Sequence, residues 1–313
     1  MEDCKIVSSS PHLHSGDSTR SVMLDVIIAL IPALVASVWL FGWRSLAVAA
    51  VCVAACMASE YLSRIILHRE QTVQDLSCVV TGLLLACNLP STVPLWQAAL
   101  GGVVAIVVVK QMFGGIGHNF VNPALVGRIV LLMSFPAAMN TYPMPTWMQV
   151  DGVTSATPLA AEEGTYDLMT LLFGTHGGSL GETCAAALVI GFLYLVWRRV
   201  ITPTIPVVFV GTVFVLSWLV EGSAVGATYQ ILSGGLLLGA IFMATDYTTS
   251  PITPMGKVVF AIGCGLLTVL IRQWGSLPEG VSFAIVIMNI LVPLIERATY
   301  KVPFGQKGGA ARA

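Results

Sequence analysis

Residues 22–41 read VMLDVIIALIPALVASVWLF, and this almost unbroken apolar run decides the class of fold. A bilayer core of about 30 Å requires about 20 apolar helical residues, which is the length of the run. The remaining chain has the same character, because 56% of its 313 residues are hydrophobic and only 10% are charged. A water-soluble domain carries about 25% charged residues. The sequence therefore predicts a membrane protein, and its net charge of −1 gives no reason to expect nucleic-acid binding.

Nine further apolar segments follow the first one. They cover residues 46–67, 76–89, 94–112, 123–135, 182–197, 205–220, 229–245, 256–271 and 281–296. The third and fifth segments of the chain are too short to span and border Pro90 and Pro123, which cannot continue a helix upstream. Broken helices occur at membrane depth only where protein or a cavity covers them. We therefore predict an all-α membrane protein of about ten transmembrane helices, some of them broken.

Basic residues predict the orientation, because Lys and Arg stay on the cytoplasmic side. With a cytoplasmic N-terminus, ten crossings place Arg44 and Arg272 outside. The cytoplasmic set contains Arg20, Arg64, Arg69, Lys110, Arg198, Arg199, Lys257, Arg297, Lys301, Lys307 and Arg312. The long connection 136–181 has no Lys or Arg, so we expect it to be extracytoplasmic. The first 21 residues are polar, and we expect no cleavable signal peptide.

The two halves of the chain resemble each other. Residues 82–85 and 235–238 both read GLLL, and the pairs Lys110-Gln111 and Arg272-Gln273 each close a later segment. One pair is predicted inside and the other outside, as two inverted repeats of five helices require. Chance similarity between glycine-rich apolar helices is the alternative explanation. The predicted organisation is a cytoplasmic N-terminal segment (1–21), a first transmembrane repeat (22–135), an extracytoplasmic loop (136–181), a second transmembrane repeat (182–296) and a cytoplasmic tail (297–313).

Residues 114–128 read GGIGHNFVNPALVGR and interrupt the apolar pattern. The glycines allow the backbone to approach a ligand closely. Asn119 and Asn122 supply hydrogen-bond donors and acceptors, and Arg128 requires a partner if it lies inside a membrane. We interpret the segment as a re-entrant loop that binds a polar planar ligand such as a flavin. A tight cytoplasmic turn is the alternative.

Two more polar segments stand out. Residues 244–257 read ATDYTTSPITPMGK, in which Asp246 could cap a helix end or meet a cation, although an ordinary loop has the same composition. Residues 151–159 read DGVTSATPL and lie in the predicted outer loop. Their small side chains suit a site of covalent modification. Composition does not distinguish among the three hydroxyl residues of this segment.

The residue types that bind metals show no ligand spacing. His118 has no second His or carboxylate at a suitable distance along the chain, so we predict no metal site. The seven cysteines include no CxxC pair and mostly lie in apolar runs. We predict that they are small buried residues rather than ligands or disulfide partners.

The segment 151–157 resembles the flavin-attachment motif of the RnfD/NqrB family, usually written Asp-x-x-Ser/Thr-Gly/Ser-Ala-Thr. This chain has Ser155 where glycine is most common. Residues 114–128, 245–251 and 278–280 are similar to further family segments. The resemblance covers nearly the whole chain, and the length favours the RnfD branch, because NqrB-like subunits have a longer N-terminal extension.

The resemblance implies two flavins. Thr157 would be esterified to the phosphate of FMN, and riboflavin would bind non-covalently in the membrane, with Asn119, Asn122 and Arg128 as our candidate contacts. The resemblance also implies a subunit of the Rnf complex of the cell membrane, which passes electrons between ferredoxin and NAD and couples this to Na⁺ or H⁺ transport. Partner subunits would supply iron–sulfur centres and an extracytoplasmic flavin.

The residues leave other functions open. Inverted repeats with broken helices also suit a channel or transporter for a solute such as ammonium or urea. A structural anchor of a complex would bind no cofactor. Intramembrane carboxylates are candidates to handle a transported ion, whereas Asn289 in the last segment is expected to hydrogen-bond between helices. The carboxylates of this kind are Asp25, Glu60, Asp246 and Glu279.

Overall fold

The computed structural model describes residues 18–145, Thr154–Ser155, 167–275 and 280–300. The helices of the first half are α1 (Thr19–Phe41), α2 (Trp43–Ile66), a 3₁₀ turn (Val73–Asp75), α3 (Ser77–Cys87), α4 (Leu95–Val104), a first π-helix (Ala105–Gln111), α5 (Pro123–Ser134) and α6 (Pro136–Met139). Two short strands follow, β1 (Tyr142–Pro143) and β2 (Thr154–Ser155). The second half contains α7 (Leu168–Phe173), α8 (Ala185–Trp197), α9 (Thr204–Glu221), α10 (Ala224–Leu232), α11 (Leu236–Leu238), a second π-helix (Gly239–Met243), α12 (Pro254–Trp274) and α13 (Val281–Thr299).

The predicted all-α membrane class is confirmed. Among the described residues, five helices are long and apolar enough to cross a bilayer, namely α1, α2, α9, α12 and α13. The segments Ala224–Leu232 and Leu236–Met243 together make a sixth candidate, bent by 66° at the break between them. The other four predicted segments form shorter apolar helices, so a count of ten crossings stays a prediction.

The helix boundaries follow from local sequence. Ser18 and Ser21 form a capping box at the start of α1, and Gly42, with φ of 76°, ends α1 and allows α2 to begin directly. Asn122 and Thr253 cap α5 and α12, each followed by a proline in the first turn. The predicted segment 229–245 is not one continuous helix, because the chain turns at Ser233-Gly234-Gly235, where Gly234 has φ of 67°.

The core joins the two halves of the chain. Helix α1 packs against α8, α2 packs against α3 and α4, and α12 packs against α9 and α13. Close helix contacts depend on small residues. A Cβ atom on Gly82 in α3 would lie 2.7 Å from the Val53 Cα atom in α2. A Cβ atom on Gly191 in α8 would collide with the Ala29 carbonyl oxygen in α1. Such glycines allow helix backbones to approach closely in membrane proteins.

We expect Gly82→Ala to lower the free energy of unfolding by about 1–3 kcal/mol, because α3 must move away from the α2 backbone. Gly211→Ala is the matched control. Gly211 is exposed on α9, and an added Cβ atom there meets no atom within 4 Å. Alanine at that position should leave stability unchanged or raise it by up to about 1 kcal/mol. Thermal unfolding of the detergent-purified proteins measures both effects, and equal midpoints for the two variants would contradict the packing described.

Candidate functional site

A cavity of about 850 Å³, its open mouth included, lies between the two halves of the chain. Its walls come from the start of α1, the start of α3, the first π-helix, the loop before α5, the end of α8 and the second π-helix. The polar lining consists of Ser77, Thr81, Lys110, Asn119, Asn122, Thr245, Asp246, Tyr247 and Thr248. The apolar lining includes Val22, Met23, Val26, Val80, Leu84, Leu195, Ile201, Ile241 and Phe242. The cavity therefore offers both an apolar wall and hydrogen-bonding groups, as ligand sites usually do.

Two of the predicted site residues line this cavity. Asn119 donates to the Val121 carbonyl at 3.2 Å and lies within hydrogen-bonding reach of the Asp246 carboxylate. Asn122 accepts from the backbone N–H of Ala124 at 3.0 Å, and its Nδ2 atom donates to the Met243 carbonyl at 3.3 Å. Asn122 therefore caps α5 and also binds the end of the second π-helix.

Arg128 lies outside the cavity lining. Its side chain is buried, and its Nη1 atom donates to Asn88 Oδ1 at 2.7 Å. It also hydrogen-bonds to the Tyr142 side chain. The structure thus brings Asn119 and Asn122 together and places Arg128 in a separate buried polar cluster between α3 and β1.

The loop before α5 depends on glycine. Gly114, Gly115 and Gly117 have φ angles of 125°, 105° and 84°. Side chains larger than hydrogen strain the backbone in this region. The three glycines reverse the chain after the first π-helix, and the reversed segment carries Asn119 and Asn122 to the cavity.

This loop reaches the middle of helix α13. Asn289 lies about halfway along α13. In the amide orientation that satisfies its hydrogen bonds, Asn289 donates to the Thr249 carbonyl at 3.0 Å and accepts from the Asn122 N–H at 3.2 Å. Asn289 therefore bonds α13 to the N-cap residue of α5 and to the loop before α12, where a bond between helices was expected. Both polar segments therefore enter the protein to the depth of the centre of α13.

A buried ion pair forms part of the cavity wall, and the sequence did not predict it. Lys110 Nζ lies 2.6 Å from Glu60 Oε2 and 2.7 Å from Ser77 Oγ. Thr72 donates to the other Glu60 oxygen at 2.6 Å. Lys110 and Glu60 are 3% and 0% exposed. The sequence does place a lysine and a glutamate inside apolar segments. Because 50 residues separate the two, their spacing does not indicate that they pair.

In the second half, Arg272 and Glu221 belong to one hydrogen-bonded cluster in which they are joined through Gln230 rather than paired directly. Arg272 in α12 donates to the Gln230 carbonyl at 2.6 Å and to the Ser233 carbonyl at 3.3 Å. Gln230 and Gln273 donate to Glu221 Oε1 at 2.9 and 3.0 Å. Lys110 therefore joins Glu60 directly to the start of α3, whereas Arg272 binds the carbonyl groups at the end of α10. The Arg272 cluster does not contribute to the cavity lining.

The four carboxylates considered for ion handling have different surroundings. Asp25 binds Arg198 at 3.2 Å and links α1 to α8 beside the cavity. Glu60 belongs to the buried ion pair. Asp246 accepts from the backbone and side chain of the threonine two residues later and so stabilises its own turn. Glu279 lies outside the described residues.

The predicted attachment site, Thr157, also lies outside the described residues. Its neighbouring strand β2 pairs antiparallel with β1, with Tyr142 opposite Ser155. The structure therefore describes the loop as far as two residues before Thr157. Tyr142 is buried, which ties this part of the loop to the helical body.

The strand pair and the cavity lie at opposite ends of α1. The first turns of α1 line the cavity. Its other end, at Phe41, leads into the start of α2. There, Arg44 donates to the Ser91 carbonyl at 2.8 Å. Next to Ser91, Thr92 donates to the Thr141 carbonyl at 2.9 Å, directly before β1. About 27 Å of helix separates Met23 from Phe41 at the usual rise per residue.

The cysteines match the prediction in the part of the chain that the structure describes. Cys52, Cys56, Cys78, Cys87 and Cys264 are buried and free, and Cys184 is free and partly exposed. They act as small apolar residues at helix contacts. For example, a Cβ atom on Gly181 would collide with Cys87.

The chain is similar to proteins of known family along nearly its whole length. Residues 6–305 match the model of the NQR2, RnfD, RnfE family. The D subunit of the Na⁺-translocating ferredoxin:NAD⁺ oxidoreductase complex of Acetobacterium woodii is 46% identical, with 96% of this chain and 95% of the relative covered. The D subunit of the proton-translocating ferredoxin:NAD⁺ oxidoreductase complex of Clostridium ljungdahlii is 39% identical, with 96% of each protein covered. The D subunit of the ion-translocating oxidoreductase complex of Stutzerimonas stutzeri is 37% identical, with 92% and 93% covered.

Matches of this length and identity, together with the helical membrane fold, show that the chain belongs to the NQR2, RnfD, RnfE family and is most like its RnfD branch.

Proposed function

We propose that this chain is the membrane electron-transfer subunit of an Rnf complex, with covalent FMN at Thr157 and riboflavin in the cavity between its halves. The complex passes electrons between ferredoxin and NAD and couples this to Na⁺ or H⁺ translocation. The cavity between the two halves is the main observation in support of the proposal. It is lined by Asn119 and Asn122 from the segment that resembles the family pattern. The relatives named as ferredoxin:NAD⁺ oxidoreductase subunits support membership of such a complex.

The covalent site is supported by the motif and by its surroundings. Thr157 ends the family pattern and has small neighbours before Pro158. The β1–β2 pair ties the loop to the protein two residues earlier. A phosphoester link to Thr157 would prevent cofactor loss while leaving the flavin ring to be positioned by protein contacts. This loop has no Lys or Arg, which favours an extracytoplasmic location that a flavin-bearing partner subunit can reach.

The cavity residues fit the second flavin. An isoalloxazine ring has an apolar benzenoid end and a polar pyrimidine end, and the cavity has both kinds of wall. Phe242, Leu84 and Leu195 provide apolar contact, while Asn119 and Asn122 provide amide groups. A bound flavin supplies one-electron and two-electron transfer, which suits a link between iron–sulfur carriers and NAD. The residues of this chain would orient the ring and exclude water from it.

Two inverted repeats account for the packing. Helix α2 packs with α4 in the first half, and α9 packs with α12 in the second. Each half also links a basic residue of its fourth segment to an acidic residue of its second, Lys110 with Glu60 directly and Arg272 with Glu221 through Gln230. Inverted repeats with discontinuous helices form binding sites where the repeats meet. Ten crossings with both termini in the cytoplasm would place the cavity toward the cytoplasm and Thr157 outside.

A solute channel or transporter is the alternative function. It would use the same repeats and broken helices but would carry no flavin. An absorption spectrum of the purified protein separates the two functions, since a flavin band nearly stoichiometric with protein is expected only for the redox subunit.

Thr157→Ala should abolish flavin fluorescence of the denatured subunit in a gel, because the ester oxygen is removed. The protein must be produced in a host that attaches flavin to family members. Thr165→Ala, in the same loop but outside the motif, is the matched control and should retain the fluorescence. Mass spectrometry of the peptide from the 136–181 loop should locate an added FMN-phosphoryl group on Thr157. Equal fluorescence in the Thr157 variant and the wild type would exclude the attachment.

Asn119→Leu should weaken binding of the non-covalent flavin by about tenfold, because one buried amide contact is lost. The measurement is the flavin released by denaturation, expressed relative to the covalent flavin that stays on the chain. Asn140→Leu, at an exposed position after α6, serves as the control. Unchanged release from the Asn119 variant would remove this residue from the proposed site.

A further inference from the structure

Lys110 has a hydrogen-bond donor that its protein partners do not use. An ammonium group has three N–H donors. Within the described residues, Glu60 Oε2 accepts one at 2.6 Å and Ser77 Oγ accepts a second at 2.7 Å. Lys110 also borders the cavity, although its side chain is only 4% exposed. The third donor is therefore available to a group inside the cavity.

The surroundings hold Lys110 in place. Glu60 is fully buried, and Thr72 donates to its second oxygen at 2.6 Å, so the carboxylate cannot turn away without losing a contact. Ser77 is the first residue of α3. A buried charge is tolerated only when it is paired and hydrogen-bonded. The ammonium is thus fixed against the cavity wall by three residues that do not themselves require a ligand.

We infer that Lys110 binds the pyrimidine edge of the flavin in the cavity and stabilises the negative charge that this edge gains on reduction. The inference rests on the proposed non-covalent flavin. Among the lining residues, Lys110 is the basic group and Asp246 is the acidic one. An edge of the ring that becomes more negative is attracted to Lys110 and repelled by Asp246. The hydroxyl groups of the ribityl chain can donate to Asp246, which gives the ligand a defined direction.

The charge balance gives this contact a redox consequence. An electron from an iron–sulfur carrier of the complex adds one negative charge to the flavin. The flavin then either takes up a proton, or its negative charge is balanced by a nearby cation. Lys110 favours the second outcome. Its charge therefore raises the midpoint potential of the flavin and weakens the dependence of that potential on pH.

The test uses the purified complex and two matched double variants. Glu60→Gln with Lys110→Met removes the pair beside the cavity. Glu221→Gln with Arg272→Met makes the same two kinds of change in the second half, at residues that do not line the cavity. We expect the first variant to bind the non-covalent flavin about tenfold more weakly and to lower its midpoint potential, with a steeper pH dependence. The second variant should behave as the wild type. Flavin content and spectroelectrochemical titration measure these effects, and the covalent flavin serves as the internal reference.

A single substitution at Glu60 should shift the midpoint potential in the opposite direction. Glu60→Gln keeps the Lys110 charge and an acceptor oxygen but removes the neutralising carboxylate. The non-covalent flavin should then have a higher midpoint potential than in the wild type. This variant decides the question if the double variant fails to fold. Unchanged potentials in both Glu60 variants, or equal losses of flavin in the two double variants, would overturn the inference. Absence of non-covalent flavin from the wild-type complex would instead overturn the proposed function.

Discussion

The backbone groups at the ends of broken helices need partners inside a membrane, and this requirement organises the whole structure. Lipid offers no hydrogen bonds to an open helix end. The Asn122 side chain meets the need for α5 and for the second π-helix together. At the other end of the cavity region, the N–H groups of Leu180 and Gly181 donate to the Leu89 and Cys87 carbonyls at the end of α3. In each case the hydrogen-bond partners are distant in sequence. The bonds that satisfy the backbone groups therefore also join the two halves.

The same requirement controls the basic residues inside the helical body. Lys110, Arg128 and Arg272 would be costly in an apolar interior, and each one binds an oxygen that belongs to another segment. Lys110 differs from the other two because it also borders the cavity. A residue that is fixed by its protein partners and still faces a cavity contributes charge to a ligand without having to move.

The sequence predicted the parts of the fold that depend on local composition. Every predicted apolar segment contains a helix, since length and hydrophobicity act within one segment. Pro90 and Pro123, which border the third and fifth predicted segments, indicated that these segments are short, and they form the short helices α3 and α5. The break at Gly234 was not predicted, because apolar residues continue on both sides of it. The partners of Lys110 and Arg128 could not be predicted either, since tertiary packing alone brings Glu60 and Asn88 to them.

The basic residues of the two halves have different surroundings. In the first half the Glu60–Lys110 pair borders a cavity, and in the second half the Arg272 guanidinium binds the Gln230 and Ser233 carbonyls. Lys110 can therefore contribute its charge to a ligand in the cavity, whereas the contacts of Arg272 hold α12 to the turn between α10 and α11.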